Sequence, residues 1–475
     1  MRPTRLLLLA AALAPLSLAF AQAPRPKGKA NDTYGTLCAT CHGKNLEGAQ
    51  APSMLDDVWT AGGDDVSLAK SIRNGFPEKG MPPWGAAIPE REIRAMVIYI
   101  QEQRAAFKRG QMEFIKPADS VTAKSQLHDY QVNTWVSGLK DPWGLAFLSP
   151  TQAIVTEKRG HAYLIDKDKL ADRPLIGLPL VDTGAQAGLY DIVPHPDFVK
   201  NGWLYFAYSD PQTFEDRPVS MTRIIRGKLK DGALVSQETI FQSPLELYRP
   251  AGGVHFGGRI AFDGKGYIYF TIGERGQAPN AQETSRPNGK VHRLHDDGRV
   301  PADNPFVADP KALPSIWSYG HRNPQGLAIH PVTGQVFDAE HGPRGGDELN
   351  LVEKGKNYGW PVITYGMDYS GVAFPGSEGT AKAGMEQPLT YWLPSIAPCG
   401  INFYAGDRFP QWKNHLFVAS LAAEELRRLE IKDGKVVAQE ILFKNLGRIR
   451  HIIGGPDGAL YALLPARIAK ITPAP

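Results

Sequence analysis

Apolar residues follow a helical period near the start of the 475-residue chain. After the helix-starting phrase Pro89-Glu90-Arg91-Glu92, apolar side chains recur at i, i+3, i+4 and i+7, at Ile93, Met96, Val97 and Ile100. A shorter helix is predicted over residues 31–37, with Asn31 or Asp32 as its N-cap. The pattern therefore predicts a small all-α domain over residues 31–107.

The pattern changes from Tyr130 onward, where short β-rich runs are bounded by Gly, Pro, Asp and Asn. Six of these runs each follow a turn-rich phrase: 152–156, 203–208, 267–272, 335–339, 415–419 and 459–463. An apolar strand precedes most of the turns, as at residues 144–147 and 326–329. Because a strand-turn-strand unit repeats six times, we expect a mostly β chain with a six-bladed β-propeller over residues 128–475. Residues 108–127 are polar and are predicted to form a linker.

The first 21 residues have the pattern of a secretory signal peptide. Arg2 and Arg5 precede an apolar run that ends in Ala19-Phe20-Ala21, and the run is too short for a transmembrane helix. We therefore expect export, a short tether over residues 22–30 and no membrane span. Removing Arg2 and Arg5 lowers the formal net charge from +4 to +2, and nothing in this balance indicates nucleic-acid binding.

The phrase Cys38-Ala39-Thr40-Cys41-His42 predicts covalent attachment of haem c. Two thiols at this spacing add to the haem vinyl groups, and His42 becomes an axial iron ligand. The alternative is a zinc or redox site, which would require further Cys or His partners nearby. Cys399 is the only other cysteine, and we interpret it as a small buried residue, with a reactive free thiol as the alternative.

Met81 is the predicted sixth ligand of the haem iron. It lies between the two predicted helices, in a loop stiffened by Pro82 and Pro83. The alternative role is loop packing, and Met54 and Met96 compete for the ligand position, although Met96 belongs to the apolar stripe of its helix. The stretch over residues 31–104 resembles class I cytochrome c, and His42 and Met81 match the axial pair of that family.

Three polar phrases interrupt the β-rich pattern. His255 lies among glycines at residues 252–258, where an imidazole can act as a general base or can simply be hydrogen-bonded in a tight turn. The loops at residues 320–326 and 340–348 combine glycine turns with charged side chains. Carbonyls and carboxylates in such loops can hold calcium, and the alternative is a pair of solvated hairpin loops.

Eight phrases in order resemble the soluble sugar dehydrogenases that use pyrroloquinoline quinone (PQQ), the glucose/sorbosone dehydrogenase family of six-bladed propellers. Together they span most of residues 131–470 and lie at 156–160, 186–189, 255–259, 319–326, 340–343, 347–350, 357–361 and 448–450. The resemblance implies oxidation of an aldose at its anomeric carbon with transfer of hydride to the quinone. It implies that His255 is the catalytic base, that Gln186 holds the substrate and that Arg322 polarises the quinone oxygen.

The resemblance also implies how the cofactors are held. The PQQ contacts would be Asn323, Arg448 and Arg450, and the carbonyls of Gly342 and Pro343 would bind the calcium ion at PQQ. A possible second calcium site would comprise Glu348, Tyr358 and Asp368.

Two positions depart from the family pattern. Some members have a PQQ-pairing lysine after the phrase that here reads Ser420-Leu421, but Ala422 and Ala423 follow in this chain. Arg427, Arg428 or the pair Arg448 and Arg450 could compensate. Val254 replaces the acid that precedes the histidine in the glucose-specific branch, which favours a broader range of aldoses or alcohols.

The fusion predicts a path for electrons. Sugar oxidation delivers two electrons to PQQ at once, whereas a haem accepts one and can relay it to an external acceptor such as another cytochrome, a copper protein or a respiratory-chain component. Haem attachment and PQQ use both indicate the periplasm. Three alternatives stay open: a dehydrogenase of other alcohols or aldehydes, a non-catalytic sugar-binding propeller attached to the cytochrome, and a calcium propeller that hydrolyses lactones or esters.

Overall fold

The computed structural model describes residues 29–111 and 120–475. The predicted signal peptide, nearly all of the tether and the centre of the predicted linker lie outside the described residues.

The N-terminal domain is helical. Its helices are α1 Ala30–Leu37, α2 Ala39–His42, α3 Asp65–Asn74 and α4 Glu90–Gln111. The predicted apolar stripe of α4 is buried: Ile93, Met96, Val97 and Ile100 pack into one core cluster with Tyr34 and Leu46. No helix among the described residues is long and apolar enough to cross a membrane.

The start of α1 differs from the prediction. Its N-cap is Lys29, which makes no side-chain capping bond, and Asn31 and Asp32 lie inside the helix. The N–H of Ala30 instead donates to the carbonyl of Gly371 at 2.8 Å. A partner distant in sequence therefore satisfies one of the free N–H groups of the first turn, in place of a capping side chain.

The described residues from 120 onward form six antiparallel sheets, as predicted from the six repeated phrases. The first three blades contain β3 Pro142–Phe147, β4 Gln152–Glu157, β5 His161–Asp166 and β6 Lys169–Leu170; β7 Leu189–Pro194, β8 Trp203–Phe214, β9 Arg217–Lys230, β10 Ala233–Phe241 and β11 Arg249–Pro250; and β12 Ile260–Phe262, β13 Tyr267–Ile272, β14 Lys290–His295 and β15 Ile316–Tyr319. A short helix, α5 Phe198–Asn201, precedes β8.

The fourth and fifth blades contain β16 Pro324–Ile329, β17 Val336–Glu340, β18 Asp347–Val352 and β19 Thr390–Trp392; and β20 Pro398–Phe403, β21 Leu416–Ser420, β22 Glu425–Lys432 and β23 Lys435–Lys444. The sixth contains β24 His451–Gly454, β25 Leu460–Leu464, β26 Arg467–Pro473, β2 Asp129–Ser137 and β1 Ser120–Lys124. Each of the six predicted runs is the second strand of its blade.

The sixth blade closes the ring, because its C-terminal strand β26 pairs with the N-terminal strand β2. The innermost strands contact one another in a closed cycle, β3, β7, β12, β16, β20 and β24. Apolar clusters fill the spaces between neighbouring blades. Closure leaves no open edge at the join between the first and last strands.

The predicted linker is shorter than residues 108–127. Helix α4 continues to Gln111, and Ser120–Lys124 forms β1, which pairs with β2. The alternating side chains Val121 and Ala123 pack against a core cluster of the closing blade, which explains why this polar segment nevertheless forms a strand.

In every blade, the loop that enters the innermost strand and the turn between the second and third strands lie at the same end, because the strands are antiparallel. Residues 186, 255, 322 and 448–450 occupy entering loops, and residues 158 and 342–346 occupy turns of the second kind. The topology therefore brings residues from different blades to one mouth of the propeller.

Candidate active site at the propeller mouth

His255 lies in the loop that enters blade three, with a positive φ of 57°. Its N–H donates to Oε1 of Gln186 at 2.9 Å, and its Nδ1 is hydrogen-bonded to Oε1 of Glu274. Gly273 allows this approach, since a Cβ there would lie 2.4 Å from the carbonyl oxygen of His255. Glu274 therefore fixes the imidazole and leaves Nε2 as the nitrogen available to a substrate.

The electrostatic surroundings keep this imidazole neutral. Burial lowers the pKa of His255 below its ordinary value of 6.5, and the guanidinium of Arg322 lowers it further, whereas Glu274 opposes both effects. A neutral imidazole can accept a proton, so His255 has the protonation state that a general base requires.

Arg322 and Asn323 lie beside His255, in the loop that enters blade four. The Nη1 of Arg322 donates to the carbonyls of His341 and Gly342 at 3.1 and 2.6 Å. Asn323 accepts from the N–H of Gly257 at 3.1 Å. Arg322 Nε, Asn323 Nδ2 and Nε2 of the neighbouring His341 are buried, and none of the three has a hydrogen-bond partner in the part of the chain that the structure describes.

His341 joins the same group of basic side chains. Burial lowers its pKa to about 3, and the positive fields of Arg322, His255 and Arg450 act in the same direction. Basic side chains from four loops therefore lie close to one another. An anionic ligand would relieve the repulsion between them.

A second part of the basic group lines a small cavity of about 40 Å³ between blades one, five and six. Lys158, Arg448 and Arg450 line it, together with Leu421 from the phrase in which the family lysine is missing. Arg450 also donates to Oε1 of Gln325 at 2.9 Å, and the Nζ of Lys158 donates to the carbonyl of Ala185 at 2.5 Å. Lys158 therefore lines the same cavity as Leu421, the residue after which the family lysine is missing.

Arg427 and Arg428, the other proposed substitutes, have partners elsewhere. Arg427 pairs with Glu425, and Arg428 pairs with Glu440 at 2.8 Å and hydrogen-bonds His415. Neither of them lines the cavity with Arg448 and Arg450.

The turn that contains Gly342 and Pro343 is held by a buried carboxylate. Asp347 accepts from the N–H of Gly342 at 2.9 Å and from Ser395, Ile396 and Ala397. The carbonyl of Gly342 receives the Arg322 guanidinium and has a second lone pair, so a calcium ion bound there would share this oxygen with Arg322.

The residues of the predicted second calcium site are divided between two places. Glu348 borders a buried acidic cluster, and burial together with Glu340 and Asp338 raises its pKa well above the ordinary value. His321 lies between Asp338 and Glu340, and the ring of Tyr358 stacks on it at 4.7 Å. In contrast, the carboxylate of Asp368 bonds Ser370 within its own turn.

This cluster has donor atoms suited to a cation. His321, Asp338 and Glu340 each offer a ligand atom within 4.8 Å of the others. Neither oxygen of the buried Asp338 has a hydrogen-bond partner among the described residues, although Oδ2 lies 3.4 Å from Nδ1 of His321. Burial opposes protonation of His321, but Asp338 and Glu340 raise its pKa to about 10.

The haem motif spans α1 and α2. Cys38 and Cys41 are partly buried, and Cys38 packs at the edge of the core cluster that contains Tyr34 and Leu46. The Nδ1 of His42 is buried and has no hydrogen-bond partner within residues 29–111 and 120–475, and burial lowers the pKa of this imidazole. Neutral imidazole is the form that binds iron, so these residues fit a haem.

Met81 follows the short turn Pro77–Lys79, and its backbone pairs with Phe76 through bonds of 2.8 and 3.1 Å. Met96 is 1% exposed within the core, as its place on the helical stripe predicted. Cys399 is fully buried, in agreement with its interpretation as a small core residue, and it lies 3.2 Å from Oε1 of Gln325.

Sequence reasoning missed Glu274, His341 and Lys158. Glu274 carries a weak signal, since Gly273-Glu274-Arg275-Gly276 places charges among glycines directly after a strand. His341 and Lys158 lie within phrases of the family pattern, but only the structure places them beside Arg322 and Arg450.

A family model described as Glucose / Sorbosone dehydrogenase matches residues 139–472, which include this entire site. The chain belongs to the glucose/sorbosone dehydrogenase family. A second model, described as cbb3-type cytochrome c oxidase subunit III, matches residues 27–100. The predicted combination of a sugar-dehydrogenase propeller with a cytochrome c domain is therefore confirmed.

Three relatives illustrate this membership of the glucose/sorbosone dehydrogenase family. Aldose sugar dehydrogenase YliI of Escherichia coli is 40% identical over 341 residues, which are 70% of this chain and 91% of that protein. The apo structure of the soluble aldose sugar dehydrogenase from E. coli is 38% identical and covers 73% of this chain and 100% of its own, with a TM-score of 0.68. The PQQ-bound aldose sugar dehydrogenase from Streptomyces coelicolor is 25% identical and covers 75% and 99%, with a TM-score of 0.58.

Proposed function

We propose that this chain is an exported quinohaemoprotein that oxidises aldoses at the anomeric carbon to lactones and passes the electrons through haem c to an external acceptor. The observation that carries the proposal is the convergence of a neutral, Glu274-oriented His255 with Arg322 and Arg450 at one mouth of the propeller. The PQQ bound in the Streptomyces relative supports the choice of cofactor.

PQQ supplies an ortho-quinone that accepts a hydride, and it carries three carboxylates that need cationic partners. Arg448, Arg450 and Lys158 would hold the carboxylates. Arg322 and Asn323 have unpartnered donors for the quinone end, and Gly342 and Pro343 would hold calcium. The three unpartnered nitrogens near His255 favour this fit, because a polar ligand would satisfy them.

His255 performs the proton transfer. Its Nε2 takes the proton of the anomeric hydroxyl, while Glu274 at Nδ1 stabilises the imidazolium that results. Gln186 supports the turn of His255 through its Oε1, and its amide nitrogen is available for a sugar hydroxyl. Arg322 places positive charge where negative charge develops on the acceptor during oxidation.

Cys38 and Cys41 would bind the haem covalently, and His42 and Met81 would be its axial ligands. The acceptor beyond the haem would be another cytochrome, a copper protein or a component of a respiratory chain. Residues 1–21 and the covalent haem motif support a periplasmic location.

The test is a visible spectrum of the oxidised haem protein with calcium and PQQ added, followed by a panel of aldoses, in wild type and in His255→Ala. We expect haem reduction only with PQQ and only with His255 intact. If the haem stays oxidised with every sugar although PQQ binds, the assignment to sugars fails. Reduction by other alcohols or aldehydes would then favour the broader specificity that Val254 suggests.

A further inference from the structure

The haem domain packs directly on blade four of the propeller. Ala30, Ala95 and Ile98 of the haem domain form a buried cluster with Met367, which lies in the long segment between β18 and β19. Ile98 is 0% and Met367 1% exposed. The centre of the contact is therefore buried and apolar, as in the core of a specific interface.

Arg94 anchors one side of this contact. Its guanidinium donates to Asp65 of the haem domain at 2.7 Å and to the carbonyl of Tyr365 at 3.1 Å. It lies 5.4 and 5.3 Å from the ring centroids of Tyr365 and Tyr391, which stack on each other at 3.9 Å. The hydroxyl of Tyr391 donates to Asp65, so both domains contribute to one closed network.

Glu102 and Arg344 form a bidentate ion pair on the other side. The Nε of Arg344 lies 2.9 and 3.1 Å from the two carboxylate oxygens, and its Nη2 lies 2.6 Å from one of them. Arg344 directly follows Gly342 and Pro343 in the turn proposed to hold calcium. A Cβ on the next residue, Gly345, would lie 3.5 Å from Ile98, so this turn also lies against α4.

Helix α4 therefore has two functional faces. Its residues Ile93, Met96, Val97 and Ile100 pack in the cluster that Cys38 borders, whereas Ala95, Ile98 and Glu102 face the propeller. The helix lies between the haem motif and the turn at residues 342–345.

We propose that this contact is a fixed electron-transfer interface, in which Glu102 and Arg344 are positioning residues that hold the haem domain against the turn at the quinone site. The inference rests on the proposed function. Each sugar loses two electrons and two protons, and the two electrons cross the interface one at a time. A haem held by Cys38, Cys41, His42 and Met81 would accept these electrons singly, and an external one-electron acceptor would reoxidise it between the two transfers.

The experiment uses the full chain loaded with haem, PQQ and calcium, in wild type, Glu102→Arg and the swapped pair Glu102→Arg with Arg344→Glu. Stopped-flow absorbance measures haem reduction after mixing with the best aldose, and a small redox dye measures oxidation of the sugar by the propeller. We expect Glu102→Arg to slow haem reduction about tenfold or more with the dye rate unchanged, and the swapped pair to recover most of the loss.

Glu90→Arg is the matched control. Glu90 also lies on α4 and pairs with an arginine, but its partner Arg73 belongs to the haem domain itself. This variant should reduce its haem at the wild-type rate. Hydrogen exchange gives a second readout without turnover: amides around Met367 and Gly371 should exchange faster in Glu102→Arg than in Glu90→Arg.

Unchanged haem reduction and exchange in Glu102→Arg would overturn the inference and leave the proposed function intact. Equal slowing in Glu90→Arg would also overturn it, since the effect would then not belong to the interface. Failure of the wild-type haem to accept electrons from any sugar, with the dye still reduced, would instead reject the proposed electron path.

Discussion

The haem region and the quinone region differ in how the chain assembles them. All four predicted haem contacts lie within residues 38–81, and three of them, Cys38, Cys41 and His42, belong to one short motif. The side chains of the quinone region run from Lys158 to Arg450 and come from loops of five blades. The haem site is therefore specified by one short stretch of sequence, whereas the quinone site forms only when the whole ring of blades closes.

This difference predicts different weaknesses. A local site fails when one ligand is lost, but its loss does not disturb a distant domain. A site assembled from many loops fails when a turn moves, even if every side chain that contacts the ligand is present. Each prediction below tests one side of this contrast.

His42→Ala should produce the largest effect. Without its axial histidine, the haem domain should lose the spectrum of a six-coordinate c-type haem completely, measured by absorbance and by haem staining. The propeller should keep its dye-linked activity within about twofold of wild type. The reason is that a relative can consist of little more than the propeller: 73% of this chain aligns with 100% of the E. coli apo structure. A parallel loss of dye-linked activity would show that the two regions are not independent.

Asp347→Asn should destabilise the propeller without contacting either ligand. The substitution leaves the shape of the side chain but replaces one oxygen, which accepts from Ile396 and Ala397, by a donor. We expect a loss of about 2 kcal/mol, because buried N–H groups lose their acceptor. Calorimetry of the full chain measures it, and Asp168→Asn, on an exposed turn, is the control. Equal stability of the two variants would contradict the role of Asp347.

Lys158→Met should weaken PQQ binding about tenfold, since it removes one cation from the cavity shared with Arg448 and Arg450. Titration of the apo protein with PQQ, followed by fluorescence quenching, measures the dissociation constant. Lys169→Met, on the exposed outer strand of the same blade, is the matched control. Unchanged affinity in Lys158→Met would show that Arg448 and Arg450 alone compensate for the missing family lysine.

The contrast also explains how far the sequence could be interpreted. The haem motif, the apolar stripe of α4 and the six second strands follow from local periods and spacings, and the structure confirms the helix and the blades. Glu274 could not be assigned to His255 in this way, since the two side chains meet only through the folding of blade three. The predicted N-cap of α1 was wrong for a similar reason. The N–H of Ala30 donates to the carbonyl of Gly371, which is more than three hundred residues away in sequence.

Glu274→Gln should have the smallest and most specific effect, a change in the pH dependence of sugar oxidation. His255 acts as a base only when neutral, so activity falls as pH decreases through its pKa, and burial and Arg322 already place that pKa below 6.5. Glu274 raises the pKa by stabilising the imidazolium. Removing its charge should therefore lower the pKa of His255 further. The acidic limb of the kcat/KM profile, measured with the dye, should move to lower pH, and the maximal rate should decrease. A structural role alone would reduce the rate at every pH and leave the acidic limb where it is. A limb that moved to higher pH would show that Glu274 does not face the imidazole as a carboxylate. The contact between Glu274 and Nδ1 of His255 would then not be what orients the base.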